Sequence, residues 1–218
     1  MRVAIDTRWI FEELSGVGQV TRQLVAELAR IDRDHEYVLL FDREDLRDQT
    51  VRATAIRDND RFSPVTVPYG VFSPRSQWSL PRELHRLGID VFHSPNYMIP
   101  YRAFPRGRPG RTRCVVTIHD VIPLLFPDHA PRSRKALLFP LYRRLMLETA
   151  RRADIITTVS QASRRDIIEQ LAIPPEAEEK VVSIYNGVTP PEPTPAPASP
   201  APRLLLYVGR FDPYKNVP

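Results

Sequence analysis

A histidine and an aspartate stand side by side at the end of an apolar, β-branched run. Residues 115–127 read VVTIHDVIPLLFP, and the run gives way to His119 and Asp120 just before a proline-containing turn. An imidazole at a strand end can bind or polarise a substrate hydroxyl, and an adjacent carboxylate can orient the ring. The same carboxylate can instead cap the following turn, which is a purely structural role. Both interpretations are open at this point.

Two glycines and two cations elsewhere in the chain are suited to binding phosphate. Gly16 and Gly18 lie where backbone amides can approach an anion, and a following helix N-terminus would add positive potential. Their spacing falls short of the G-x-G-x-x-G dinucleotide fingerprint, so a plain tight turn is the alternative. Arg210 and Lys215 follow a glycine at a predicted strand end, and together they could neutralise a diphosphate. A solvated charged loop is the structural alternative for that pair.

Alternating strand and helix patterns must position these residues. Short apolar runs predict strands at RVAID, EYVLLF, PVTVP, IDVFHS, RCVVTI, DIITTV and KVVSIY. Helical spacing predicts helices over 19–31, over Trp78 to Leu87 with a cap at Gly88, over 133–153 with a break at Pro140, and after an N-cap at Ser160. Residues 42–63 are interpreted as charged and irregular. The alternation predicts an α/β fold with a Rossmann-like, doubly wound parallel sheet.

Polar residues at the predicted strand ends should share one edge of that sheet. In doubly wound sheets, ligands bind beyond the carboxyl ends of the strands. We therefore predict that Gly16, His119 and Asn186 converge on one wall of a cleft whose opposite wall begins at Arg210. The polar strand ends are His93 and Ser94, His119 and Asp120, Thr158 to Ser160, and Asn186 and Gly187.

Composition narrows the class of protein. A hydrophobic share of 42% and a charged share of 26% are ordinary for a globular chain of 218 residues. The single cysteine, Cys114, excludes an internal disulfide and fits a reducing compartment. Asp6 and Arg8 interrupt the first apolar run, so the sequence predicts no secretory signal. No uninterrupted apolar stretch approaches the roughly 18 residues of a membrane span. The net charge of +5 favours anionic partners, among them phosphates, acidic lipids and nucleic acid.

Proline marks the domain organisation. Residues 188–203 read VTPPEPTPAPASPAPR, a composition typical of an extended linker. We expect residues 1–187 to form one domain and residues 204–218 to begin a second α/β domain that continues past Pro218. On that expectation, the 218-residue chain alone has no transferase activity.

Six motifs carry a resemblance to a known family. They are SGVGQVTRQL, DVFHSPNYMIP, TIHDVIPLLFP, ITTVSQASRRDI, IYNGV and YVGRFDPYKN. In this order they resemble the retaining GT-B glycosyltransferases of family 4, and most of all the mannosyltransferase-like branch that builds bacterial surface polysaccharides. The resemblance runs from Arg2 to Asn216 and implies that the chain is the N-terminal half of a GT-B fold plus the start of the second half. In such a fold the first domain binds mainly the acceptor and the second mainly the nucleotide-sugar donor.

The resemblance also implies roles for individual residues. Gly16 matches the loop glycine beside the donor phosphate, and His119 matches the histidine that contacts the transferred sugar. The remaining assignments are Asp120 beside that histidine, Arg210 and Lys215 on the leaving diphosphate, Asn186 and Gly187 on the donor side, and Ser94, Asn96 and Ser160 on the acceptor side. Gln19 departs from the family, where a basic residue is frequent, and the family's E-x7-E carboxylates would lie beyond Pro218.

The implied reaction needs no metal ion and no cofactor. A nucleotide-sugar donor would give a hexosyl group, mannose-like, to a glycan or lipid-linked acceptor with retention of configuration. Cationic side chains beside the leaving diphosphate would stabilise its negative charge, as a metal ion does in other enzymes. The expected location is the cytoplasm, with nucleic acid not expected as a partner.

Arginines predict a further partner, an anionic membrane. One loop holds Arg102, Arg106, Arg108, Arg111 and Arg113, and a second group, interspersed with leucines, holds Arg132, Arg134, Lys135, Arg143 and Arg144. Such a basic, amphipathic surface could lie on the inner face of a membrane. Solvated helix faces are the alternative.

Two other classes of protein remain open. A nucleotide-binding oxidoreductase would have a complete glycine fingerprint and an acidic residue about 20 positions later, and neither is clear. A non-enzymatic basic module that binds nucleotides, other anions or membranes would be indifferent to the loss of His119.

Overall fold

A single parallel sheet organises the molecule. The structure, a computed structural model, describes residues 1–13, 15–54, 56–107, 110–127, 139–188 and 206–207. The strands are β1 (Arg2–Ile5), β2 (Glu36–Phe41), β3 (Phe62–Thr66), β4 (Val91–Ser94), β5 (Arg113–Thr117), β6 (Ile155–Thr158) and β7 (Val181–Ser183). They lie in the order β3-β2-β1-β4-β5-β6-β7, and every neighbouring pair is parallel.

Helices connect the strands and cover the sheet. They are α1 (Gly16–Ile31), α2 (Glu44–Ala53), α3 (Ser76–Arg86), α4 (Ile122–Leu125), α5 (Phe139–Arg152) and α6 (Gln161–Gln170), with short 3-10 helices at Thr7–Trp9 and Pro175–Lys180. The strand order reverses between β1 and β4, as in a doubly wound sheet. This confirms the predicted Rossmann-like α/β class, and the sheet is consistent with one half of a GT-B fold. Within the described ranges, no helix is long and apolar enough to span a bilayer.

Two apolar clusters fill the two sides of the sheet. On one side, Val25 and Ala29 of α1 pack with Ile5 and Leu39. On the other side, helices α3, α5 and α6 cover nearly the whole width of the sheet. Their buried side chains include Leu80, Leu84, Met146, Ala150 and Ile167, which meet Phe92, Cys114 and Val116 of the central strands. Cys114 is fully buried there, and burial raises the pKa of its thiol.

Several predicted elements are confirmed at their ends. Ser160 is the N-cap of α6, and its Oγ accepts a hydrogen bond from the Ser163 amide at 3.0 Å. Gly88 follows α3 with φ at +65°, a left-handed conformation that favours glycine at a helix end. Strand β2 has the bounds that its sequence predicts.

The prediction of irregular structure over 42–63 is wrong, because this segment contains α2 and the start of β3. Helix α2 buries only Leu46 and Thr50 among its ten residues, so its apolar periodicity is too sparse to be recognised. Strand β3 begins at Phe62, and Pro64 is tolerated because β3 is an edge strand.

Two further helix predictions need correction. Helix α1 begins at Gly16 rather than at Gln19, because Ser15 caps it and draws both glycines into the first turn. Trp78 is not on the buried face of α3. Its side chain is 49% exposed, because it lies only two positions before the buried Leu80 and so points to another side of the helix.

Part of the predicted organisation lies outside the described residues. Of the predicted helix over 133–153, the structure describes α5, which has Pro140 in its first turn. The linker over 188–203 and the segment over 204–218 are described only at Val188, Leu206 and Tyr207. Arg210 and Lys215 lie outside the described residues.

Candidate functional site

The carboxyl edge of the sheet, at the point where the strand order reverses, is the place where such folds bind ligands. Between β1 and β4 this edge is bordered by the Thr7–Trp9 helix and the start of α1 on one side, and by the loop after β4 on the other. His119 follows the next strand, β5, so Gly16 and His119 flank the loop after β4. Asn186 and Gly187 follow β7 at the far end of the same edge, where both are exposed.

The two glycines at the start of α1 serve different purposes. A Cβ on Gly18 would lie 3.1 Å from Ser15 Oγ and 3.3 Å from the Trp9 carbonyl oxygen, so Gly18 allows the helix start to pack tightly against the loop. Gly16 is exposed, and a Cβ there would meet nothing within 4 Å. Ser15 Oγ accepts from the Gly18 amide at 3.0 Å. The first turn is therefore capped, and its outer end stays open to an anion.

His119 is held by the neighbouring loop. Its Nε2 lies 3.2 Å from the carbonyl oxygen of Pro95, which can only accept, so Nε2 carries the proton. Burial lowers the pKa of His119, and the Pro95 carbonyl and the charge of Asp120 oppose that effect only in part. The ring is therefore mostly neutral near pH 7, and Nδ1 is left as a hydrogen-bond acceptor.

Asp120 caps the following turn. Its Oδ1 accepts a hydrogen bond from the amide of Ile122 at 3.1 Å, at the start of α4. Of the two roles that the sequence leaves open for this carboxylate, the structure shows the capping one. Asp120 is exposed, and its charge still acts on the imidazole of His119.

The three residues assigned to the acceptor side stabilise local backbone. Ser94 is fully buried, and its Oγ lies 2.6 Å from the Asn96 carbonyl oxygen and 2.8 Å from that of Met98. Asn96 is partly exposed, and its Oδ1 accepts from the Tyr97 amide at 2.9 Å. Ser160 caps α6. These residues shape the loops around the edge, and Ser94 itself is closed to a ligand.

His93 lies inside β4 rather than at its tip. Its Nε2 is 2.8 Å from Thr117 Oγ1, which is in turn 2.8 Å from Thr157 Oγ1. Burial lowers the pKa of His93 to about 4, so the ring is neutral at pH 7. This chain of polar side chains crosses three neighbouring strands on one face of the sheet.

Sequence reasoning missed a buried ion pair that supports this edge. Asp6 and Arg8, which are 0% and 2% exposed, form two hydrogen bonds of 2.7 Å between carboxylate and guanidinium. Arg8 also donates to Ser76 Oγ at 2.9 Å and to the Tyr69 carbonyl at 3.3 Å. Burial lowers the pKa of Arg8, but the charge and hydrogen bonds of Asp6 outweigh that effect and raise it. The pair ties the end of β1 to the start of α3.

An aromatic cluster next to the ion pair was also missed. The Trp9 ring makes edge-to-face contacts with Phe11, Phe72 and Tyr97, with centroid distances of 6.1, 5.4 and 5.9 Å. Trp9 is 4% exposed, whereas Phe11 and Phe72 are 40% and 58% exposed. The cluster joins the loops after β1, β3 and β4, and it lies two residues from Pro95, the partner of His119. Helical or strand periodicity cannot reveal it, because all four rings are in loops or short turns.

Three kinds of group at this edge have the chemistry to contact parts of a polyhydroxylated ligand that carries phosphate. The edge offers the open end of α1 to an anion, the Nδ1 of His119 to a hydroxyl, and exposed aromatic rings to an apolar face. Among the described residues, no three histidine, cysteine, aspartate or glutamate side chains are placed to hold a metal ion.

Comparison with known proteins identifies the type of domain. Residues 14–191 match the model of the family described as Glycosyltransferase Family 4. This match covers more than half of the chain and includes the start of α1, His119 and the end of β7. No curated protein matches the sequence significantly.

Proposed function

We propose a specific reaction for this chain, which belongs to glycosyltransferase family 4. A glycosyltransferase domain implies a sugar donor and an acceptor. In our proposal, the donor is a nucleotide sugar, the transferred group is a mannose-like hexosyl unit, and the acceptor is a glycan or a lipid-linked sugar of surface polysaccharide biosynthesis. The reaction proceeds with retention of configuration. The described sheet forms the acceptor side, and Arg210 and Lys215 belong to the donor side.

The observation that carries this proposal is the contact between His119 Nε2 and the Pro95 carbonyl oxygen. Because the Pro95 carbonyl accepts from Nε2, the neutral ring presents Nδ1 as an acceptor. Sugar hydroxyls are hydrogen-bond donors, so this ring suits a hydroxyl of the transferred hexose better than it suits a phosphate. In this proposal, the donor phosphate binds instead at the open start of α1, beside Gly16.

The mechanism then follows from charge and position. The bond between the anomeric carbon and the donor phosphate breaks, and the acceptor oxygen bonds to that carbon from the same face. The acceptor's proton moves to the departing phosphate oxygen, so no enzymic base is required. Arg210, Lys215 and the amides of α1 would stabilise the negative charge on the leaving diphosphate. The protein would hold both substrates close together and in the relative orientation that the transfer requires.

The aromatic cluster supports a sugar on the acceptor side. Phe11 and Phe72 both contact Trp9 and are both exposed, and Trp9 also contacts Tyr97 in the loop that holds His119. The C–H face of a pyranose is apolar and can stack on such rings, while its hydroxyls reach polar groups at the rim. We propose that the acceptor sugar rests there during transfer.

Replacement of His119 tests the proposal. With a radiolabelled nucleotide sugar and membrane or glycan acceptors, we expect His119→Ala in the complete gene product to lower turnover about 100-fold. The free energy of unfolding should change far less, and His85→Ala, an exposed histidine on α3, should retain turnover. Equal losses of turnover and stability in His119→Ala would mark the ring as structural. Nucleotide binding without turnover by the wild type would favour a non-enzymatic binding module.

Metal removal gives a second test. Because Arg210 and Lys215 are proposed to balance the diphosphate charge, we expect treatment with EDTA to leave the transfer rate within about twofold of the untreated rate. Arg210→Ala should in contrast lower turnover about 100-fold. A loss of activity on chelation that added Mg²⁺ or Mn²⁺ restores would contradict the metal-independent mechanism.

A further inference from the structure

A basic hollow lies along α5, and none of the residues assigned to the transfer site lines it. Its volume is about 500 Å³, and four arginines line it, namely Arg106, Arg143, Arg144 and Arg151. Arg143, Arg144, Leu147 and Arg151 recur at three- and four-residue spacing, so they lie on one face of the helix. Most of the lining therefore comes from α5, and Arg106 adds to it from the loop before β5.

The positive charge of this hollow exceeds its acidic charge. Glu148 is the one carboxylate among the lining residues, and it accepts from Arg106 Nε at 2.9 Å. The same carboxylate lies 3.4 Å from Arg151 and 3.4 Å from Arg152. The hydrogen bond from Arg106 contributes most to lowering the pKa of Glu148. Arg143 and Arg144 are exposed, and their two positive charges come in addition to those of the arginines around Glu148.

The hollow is also partly apolar. Phe139, Pro140 and Leu147 contribute to its lining, and the neighbouring Leu141 is 51% exposed. Guanidinium groups bind phosphate oxygens in a bidentate manner, while apolar side chains favour the region just below a lipid head group. Arginines beside exposed leucine suit an anionic amphiphile better than a free inorganic anion.

Other arginines near this region have local partners. Arg102 lies over the ring of Trp78, with its guanidinium carbon 5.4 Å from the ring centroid. Arg113 forms an ion pair of 2.9 Å with Asp154. Arg108, Arg132, Arg134 and Lys135 of the predicted basic surface lie outside the described residues, and Arg111 is exposed. Of the described arginines in that surface, Arg106, Arg143 and Arg144 line the α5 hollow.

We propose that the α5 hollow docks the protein on anionic phospholipid head groups at a membrane surface. The hollow lies outside the transfer site, so docking does not depend on the proposed reaction. The phosphodiester would lie between Arg143 and Arg144, and Leu141 would enter the interfacial region. Each arginine near an anionic surface adds to the binding free energy, so the interaction should weaken as salt increases.

Sedimentation with vesicles tests this proposal. The complete gene product is mixed with vesicles of phosphatidylcholine alone or with phosphatidylglycerol added, and the bound fraction gives a partition coefficient. We expect binding only to the phosphatidylglycerol vesicles, and we expect Arg143→Glu/Arg144→Glu to lower the partition coefficient at least about 30-fold. Arg143→Gln/Arg144→Gln should show a smaller loss of the same kind.

A matched control separates the hollow from overall charge. Arg82→Glu/Arg165→Glu changes the net charge equally at two exposed arginines on α3 and α6, and it should retain most of the binding. Equal losses in the two charge-reversed variants would overturn the proposal, as would vesicle binding that neither changes. Binding of pyrophosphate that depends on Arg143 and Arg144, with no binding to vesicles, would also overturn it, because the ligand would then be a free phosphate.

Discussion

The two halves of the sheet, β3-β2-β1 and β4-β5-β6-β7, are covered differently. In the first half, all five residues from Tyr37 to Phe41 of β2 are buried, because helices pack against both faces. In the second half, burial alternates along β5: Cys114 and Val116 are buried, whereas Val115 and Thr117 are only partly so. Within the described residues, the second half is thus covered mainly on one face.

The composition of the strands follows this difference in covering. The less covered, outer face of the second half carries the partly buried His93, Thr117 and Thr157, whose side chains are joined by hydrogen bonds across three strands. Ile155 and Val182 on the neighbouring strands are 37% and 39% exposed. Most of the free energy of folding should therefore come from the first half and from the side covered by α3, α5 and α6. Substitutions on the outer face of the second half should therefore lower the free energy of unfolding less than substitutions elsewhere in the sheet.

The largest contrast is expected between two ion pairs. Asp6→Ala leaves Arg8 buried without its partner, and we expect a loss of about 4 kcal/mol in the free energy of unfolding. Arg113→Ala, in the second half, removes the exposed partner of Asp154, for which we expect a loss of about 1 kcal/mol. Urea denaturation of both variants measures the difference. Similar losses in the two variants would show that the halves are equally constrained.

Truncation of apolar side chains gives the next contrast. Leu39 is 0% exposed in a strand covered on both faces, so Leu39→Ala should cost about 3 kcal/mol. Val115→Ala removes a partly exposed side chain from the outer face of β5 and should cost about 1 kcal/mol. Thermal unfolding followed by circular dichroism ranks the two. A larger loss at Val115 would mean that the outer face is covered in solution.

A dependence of stability on pH is also expected. Burial lowers the pKa of His93 to about 4 in the folded state, whereas an unfolded histidine titrates near 6.5. Below about pH 6.5 the unfolded chain binds the extra proton first, so stability falls with pH until the folded state also takes up a proton near pH 4. Between pH 7 and pH 5 this amounts to about 2 kcal/mol.

Replacing His93 isolates that contribution. In His93→Gln, the loss of stability between pH 7 and pH 5 should be smaller than in the wild type by about the same 2 kcal/mol. Urea denaturation at the two pH values gives both slopes. An unchanged slope in the variant would assign the pH dependence to other groups.

Much of the sheet could be predicted from the sequence. Strand β2 is a run of five buried residues, and the cap at Ser160 is a local hydrogen bond, so both depend on neighbouring residues alone. The prediction failed where the local signal was weak. Helix α2 buries two residues four positions apart, which is too few to distinguish it from a charged loop.

The candidate site could be predicted only in part. The position of His119 after β5 follows from the strand pattern, but the proton on its Nε2 depends on a carbonyl 24 residues away. The inward orientation of Arg8 depends on Tyr69 and Ser76, more than 60 residues along the chain. A charged pair after a strand is usually solvated, and nothing local in Asp6 and Arg8 signals the opposite.

The buried thiol of Cys114 has a practical consequence for all of these measurements. Cys114 is the chain's single cysteine and packs against helices that cover one side of the sheet, so an alkylating reagent reaches it when those helices move away or the domain unfolds. The rate of labelling therefore reports how often the centre of the domain opens, in a crude extract as well as in a purified sample.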